Sequence, residues 1–98
     1  MINVYLVALE HQGVSIGIKQ EKMYQLIMAT DGFSIQINDD SIEIYQFDLS
    51  VGSGRAALDN VIENVLMGKA VITNKNLVLL KNERHKDWDK LNKIFQSI

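Results

Sequence analysis

Asp31-Gly32-Phe33-Ser34-Ile35-Gln36-Ile37-Asn38-Asp39-Asp40-Ser41-Ile42-Glu43-Ile44-Tyr45-Gln46-Phe47 is the stretch that decides the architecture. Phe33, Ile35 and Ile37 alternate with Ser34, Gln36 and Asn38. That is a period of two, the pattern of a half-buried strand. Asn38-Asp39-Asp40 has the composition of a turn. Ile42 and Ile44 then alternate with Glu43 and Tyr45 on the way to Phe47. Upstream, Asp31-Gly32 stands between two apolar runs, which predicts a type I′ turn with positive φ at both central residues.

Reading outward from this hairpin adds three strands before it. Ile2–Leu9 is rich in β-branched and aromatic residues, and His11-Gln12-Gly13 supplies a turn. Val14–Lys19 alternates Val14, Ile16 and Ile18 with Ser15, Gly17 and Lys19. Gln20-Glu21-Lys22 is a polar break, and Met23–Thr30 is a third run. After Phe47 the period changes. Leu58, Val61, Ile62, Val65 and Leu66 follow helical spacing, with Ser53 as the N-cap and Gly68 as the stop. Val71–Thr73 and Leu77–Leu80 read as short strands around an Asn74-Lys75-Asn76 turn. A last helix starts at Asn82 or Glu83 and carries Trp88, Leu91, Ile94, Phe95 and Ile98.

The expected fold is therefore α+β in a single domain, residues 1–98. A mostly antiparallel sheet begins as a five-strand meander. A helix, two short strands and a C-terminal helix follow, with both helices packed on one sheet face. Ninety-eight residues leave room for one core only. The chain is 47% apolar and 22% charged, values of an ordinary globular domain, which excludes a disordered one. It has no cysteine, which excludes disulfides and thiolate zinc sites and points to the cytoplasm. The N-terminus lacks a basic leader, and no apolar run is long enough to span a bilayer.

A net charge of −2 conceals a division. Residues 1–68 hold three cations against nine anions, a net of −6; residues 69–98 hold seven against three, a net of +4. Such asymmetry marks either a binding face or two parts that attract one another. Lys81, Arg84, Lys86, Lys90 and Lys93 concentrate near the last helix and form the candidate interaction surface. Cations placed this way bind phosphates in a salt-sensitive manner, and Trp88 or Tyr45 would stack on a base if exposed.

Gly52-Ser53-Gly54-Arg55 opens the first helix and is the candidate anion-binding loop. Free N–H groups at a helix N-terminus attract anions, and Arg55 would add a fork of donors. No Gly-Lys-Ser or Gly-Lys-Thr follows, so it is not a P-loop. The run from residue 24 to 66, with its Asp31-Gly32 turn and its Val51-Gly52-Ser53-Gly54-Arg55-Ala56-Ala57-Leu58 helix entry, resembles the later half of proteasome-type and HslV-type N-terminal-nucleophile hydrolases. Those enzymes attack with an N-terminal threonine, serine or cysteine. This chain starts with Met1 and has no threonine before Thr30, and Ser15 does not match the family's processing site. The resemblance implies a shared local topology without catalysis.

His11 and His85 read as solvated surface residues with no partner or nucleophile in reach. Asp39-Asp40 lacks calcium-loop spacing. No catalytic residue, metal site or cofactor is expected. The function expected by subtraction is a non-enzymatic module that binds another protein as an inhibitor or regulator. Two strands apolar on both faces add a homodimer to that expectation. The alternatives are a nucleic-acid-binding domain using the basic C-terminal segment and a degenerate N-terminal-nucleophile hydrolase.

Overall fold

Two strands, Asp31–Ile37 and Asp40–Gln46, pair antiparallel in the register Phe33↔Ile44, Ile35↔Ile42 and Ile37↔Asp40. Asn38 and Asp39 form the two-residue connection, and Asn38 takes the positive φ that such a turn needs. The computed structural model describes residues 1–63 and 70–98. In chain order the elements are α1 (Ile2–His11), β1 (Lys19–Glu21), a 3₁₀ turn (Tyr24–Ile27), β2 (Asp31–Ile37), β3 (Asp40–Gln46), α2 (Gly52–Glu63), β4 (Val71–Asn74), β5 (Leu77–Leu80) and α3 (Trp88–Ser97). The five strands form one antiparallel sheet in the order β1-β2-β3-β5-β4. The α+β class with a mainly antiparallel sheet is therefore as expected.

The alternation of the strands builds two cores. Ile35, Ile37, Ile42, Ile44, Leu77 and Leu79 face Ile2, Tyr5, Leu6 and Leu9 of α1 and Trp88, Leu91, Ile94 and Phe95 of α3. Tyr45, Phe47, Val78 and Leu80 face Ala57, Leu58 and Val61 of α2, together with Ala29. The two helices expected on one face thus lie on opposite faces. The reason is β5, whose four side chains are all buried and need cover on both sides.

Several local expectations are corrected. Ile2–Leu9 is not a strand but α1. Its buried residues Ile2, Tyr5, Leu6 and Leu9 fall at i, i+3, i+4 and i+7, so packing outweighs the β propensity of its valines. Val4 and Val7 point outward and are about half exposed. The strand expected over Val14–Lys19 shifts onto Lys19–Glu21, so that it takes in Gln20 and Glu21 of the expected Gln20–Lys22 break. Val14 and Ile16 still pack against the α1/α3 core. Met23–Thr30 contains the 3₁₀ turn instead of a strand. Asp31-Gly32 opens β2, and neither residue has positive φ. Gly32 is required there by close approach: a Cβ would stand 2.5 Å from Cδ1 of Tyr45, its cross-strand partner. Ser53 lies inside α2, which begins at Gly52, so it is not the N-cap. The last helix begins at Trp88, because residues 82–88 close two successive turns, His85 N–H to Asn82 O and Trp88 N–H to His85 O. Val65, Leu66 and the Gly68 stop lie outside the described residues.

Tyr5 ties the α1/α3 layer together. Its hydroxyl donates to the Leu91 carbonyl at 2.9 Å, and its ring meets Phe95 edge-on at 5.3 Å. Burial pushes its phenol well above the ordinary tyrosine value. Tyr45 is raised too, first by burial and then by the charge and hydrogen bond of Glu43. A raised acid gives stability that is complete below the unfolded value and lost as pH climbs toward the folded one. Urea midpoints of the wild type should hold to about pH 10 and then fall, and the decline should be shallower for Tyr5→Phe combined with Tyr45→Phe. At neutral pH, Tyr5→Phe alone should cost about 1 kcal/mol.

A second substitution tests the start of α2. A Cβ on Gly54 would overlap the Asp48 carbonyl oxygen, a backbone atom that cannot swing aside. Gly54→Ala should cost about 2–3 kcal/mol in the same assay, whereas Gly52→Ala, which meets nothing, should not lower the midpoint.

Candidate functional site

β3 continues to pair with β2 down to Asp40, and β5 continues beside β4 through Leu80 to Lys81, whose N–H donates to Ala70 O. The register between β3 and β5 ends at Ile44↔Leu79. Beyond that pair lies an open groove of about 560 Å³. Ser41, Ile42, Ala70, Leu80 and Asn82 line it, with the side chains of Ile42 and Leu80 buried in the two cores; Asp40, Glu43, Lys81, Glu83 and Arg84 supply its charge.

These charges are not equivalent. The Asp40 carboxylate accepts from Asn82 Nδ2 at 3.0 Å and from the Ser41 N–H at 2.8 Å. Those hydrogen bonds, Asn82 first, hold its carboxyl below the ordinary aspartate value. Asn82 also donates to Ser41 O at 2.9 Å, so one amide stitches the far end of β3 to the segment after β5. Glu43 lies 3.7 Å from Lys22 Nζ and accepts from the Tyr45 hydroxyl at 3.0 Å. Lys81 and Arg84, by contrast, are exposed and form no ion pair among the described residues.

The remaining basic residues follow the chain away from the groove. Lys86, Lys90 and Lys93 are exposed, and the last two occupy the outer side of α3, opposite Trp88, Leu91, Ile94 and Phe95. Asp87 is drawn away from them by the Asn38 side-chain amide. The expected cluster of Lys81, Arg84, Lys86, Lys90 and Lys93 is therefore present as a solvent-facing series. The aromatic residues beside it are unavailable. Trp88 is 7% exposed and Tyr45 6%, so neither offers a stacking face.

His85 was expected in solvent and is buried instead. Its Nδ1 accepts from the Asp87 N–H at 3.0 Å, which leaves Nε2 to donate to Ile37 O at 2.8 Å. The ring thus joins the end of β2 to the entrance of α3. His11 is exposed in the last turn of α1. Neither histidine is bonded to Ser53. In the Gly52–Arg55 loop, Ser53 and Arg55 are exposed and Gly54 is buried against Asp48. The N–H groups of Gly54 and Arg55 already donate to Val51 O. Among the described residues, no group of three His, Cys, Asp or Glu side chains is placed to hold a metal ion, and no helix is long and apolar enough to cross a membrane.

A further set of residues escaped the sequence reading. Ile18, Met23, Leu26 and Met28 are between 64% and 76% exposed. All flank β1, the edge strand, or follow it into the 3₁₀ turn. Met23 and Leu26 are three residues apart, the spacing that eclipses side chains on a 3₁₀ turn. Their neighbours Tyr24 and Ile27 turn inward against the α2 core. The apolar run of residues 23–30 concealed this split, because a strand would have divided it differently. Comparison with protein-family models, curated proteins and solved structures finds no match for this chain.

The Asn82 stitch has a measurable consequence. Asn82→Ala should lower the urea unfolding free energy by about 1 kcal/mol at neutral pH. Asp40, with its lowered carboxyl, contributes stability above the ordinary aspartate value and loses it as pH falls through the folded one. The gap between wild type and Asn82→Ala should therefore narrow below about pH 4.

Proposed function

We propose that the chain is a non-enzymatic protein-binding module, an inhibitor or regulator that engages its partner beside β1. The observation that carries this reading is the solvent-exposed set Met23, Leu26 and Met28, with Ile18 at the other end of the strand. Large apolar side chains that no core uses are a cost in water unless a partner covers them. Methionine suits such a surface because it adapts its shape to what it meets.

The edge itself supports contact through side chains more than through strand addition. β1 has three residues, all exposed, and carries Lys19 and Glu21. Just before it, Gly17 N–H donates to Gln36 O at 2.7 Å and Gln36 N–H donates to Ile18 O at 2.8 Å. Two residues thus sit against one, a bulge that interrupts regular pairing. Short charged strands and bulges are the usual protection against edge-to-edge association. A second copy of the chain is the other occupant this surface would accept, and the mass of the purified protein in sedimentation separates the two.

The test is Met23→Asp combined with Leu26→Asp. Both side chains are exposed, so the circular dichroism spectrum and urea midpoint should stay unchanged. Affinity capture from a nuclease-treated lysate of the protein's own source should return one stoichiometric partner with the wild type and lose it with the variant. Equal capture by both, or partners that vanish with nuclease, overturns this reading.

A further inference from the structure

We infer that β4 is the edge through which two copies of this chain pair, strand to strand, into one continuous antiparallel sheet. β4 and β1 are opposite edges of the sheet, so this contact is independent of the partner surface beside β1. The ladder to β5 shows which backbone groups of β4 are already engaged. Lys81 N–H donates to Ala70 O, and the register runs Val71↔Leu80, Ile72↔Leu79, Thr73↔Val78 and Asn74↔Leu77. In an antiparallel ladder, bonded and non-bonded residue pairs alternate. Ala70, Ile72 and Asn74 therefore turn their backbone groups toward β5. Val71 and Thr73 turn theirs away from it, and those N–H and C=O groups have no backbone partner among the described residues. Side-chain exposure agrees with an open edge. All four side chains of β5 are buried, whereas Thr73 is exposed and Val71, Ile72 and Asn74 are half-buried.

The two edges are built differently. β1 is short, charged and preceded by a bulge, which protects it from pairing. β4 reads Val-Ile-Thr-Asn, with no charge and no proline, and its register with β5 is unbroken. Val71, Ile72 and Thr73 are all β-branched, the type that favours strand pairing. Outward N–H and C=O groups in this arrangement take an extended strand. A second β4 matches them donor for acceptor. A two-fold axis through Ile72 sets Val71 opposite the partner's Thr73, and Thr73 opposite the partner's Val71. Each of these pairs exchanges both its hydrogen bonds, so every outward N–H positive end meets an outward C=O negative end. Ile72 then meets the partner's Ile72 at the close, non-bonded position, where two β-branched side chains add to the pairing. Residues 70–74 contain no charged side chain, so no like charges oppose one another along the contact.

The test is sedimentation of the full chain between about 10 µM and about 1 mM, paired with amide exchange. An edge-to-edge contact is small and the dimer weak, so the mass should climb from one chain toward two across that range. The Val71 and Thr73 amides should exchange more slowly at the high concentration than at the low one. Thr73→Lys leaves the backbone intact and, as an edge lysine, should weaken the dimer at least about tenfold. Thr73→Pro deletes a donor that β5 does not use and should keep the chain monomeric throughout. A urea midpoint for each variant confirms that it is folded, and Thr73→Lys carries the test if the proline variant is not. Met23→Asp with Leu26→Asp, which alters the other edge, should leave the mass unchanged. A mass of one chain at every concentration overturns the inference. So does a folded Thr73 variant that dimerises as tightly as the wild type. A dimer that Met23→Asp with Leu26→Asp abolishes overturns it as well, because the second copy then sits beside β1.

Discussion

Leu77-Val78-Leu79-Leu80 imposes the constraint on which the rest of the structure depends. Four consecutive apolar side chains on a strand point to both faces of the sheet, and all four are buried. A single layer of helices could satisfy only Leu77 and Leu79. Burying Val78 and Leu80 requires a second layer, and α2 provides it. The position of β5 between β3 and β4 follows from the same need, because an edge strand would leave one of its sides in water. The apolar halves of β3 and α3 then complete one core, and Tyr45, Phe47 and α2 complete the other.

Asparagine side chains join the loops that this two-layer arrangement creates. Asn74 Nδ2 donates to the carbonyls of Phe95 and Ile98, which closes the C-terminal end of α3 against β4. Asn76 donates to Phe47 O, beside the backbone bond from Phe47 N–H to Asn76 O. Asn82 stitches β3 to the segment after β5, and Asn38 holds Asp87. His85 acts in the same way with two backbone partners. Among the described residues no buried side-chain nitrogen or oxygen lacks a partner.

The hairpin of β2 and β3 was legible because its alternation is strict and its turn is chemically explicit. The apolar spacing of α3 was legible for a related reason, since Trp88, Leu91, Ile94 and Phe95 repeat with one period and nothing competes. Residues 2–9 misled because Val4, Tyr5 and Val7 favour strands individually, while Ile2, Tyr5, Leu6 and Leu9 share one helical face. Packing against α3 decided between the two. Gly32 misled in another way. A glycine after aspartate suggests a turn, yet here it makes room for the Tyr45 ring across the ladder. The basic candidates 81–93 were visible as composition, and the Gly52–Arg55 loop as a helix entry. The apolar residues beside β1 were not visible as a site, because a hydrophobic run does not say which of its members turn outward.

The sequence by itself determined the α+β class, the β2–β3 hairpin, the two apolar-faced helices after it and the separation of charge along the chain. These are local properties, set by the period of the side chains and the chemistry of a turn. Only the tertiary structure decided that α1 is a helix, that α2 lies opposite α1 and α3, that His85 is buried, and that Lys81 and Arg84 share a groove with Asp40, Glu43 and Glu83. Those outcomes depend on which distant residues meet. Both sheet faces must be covered at once, and each buried polar group must find its partner, so neither condition can be evaluated within one segment.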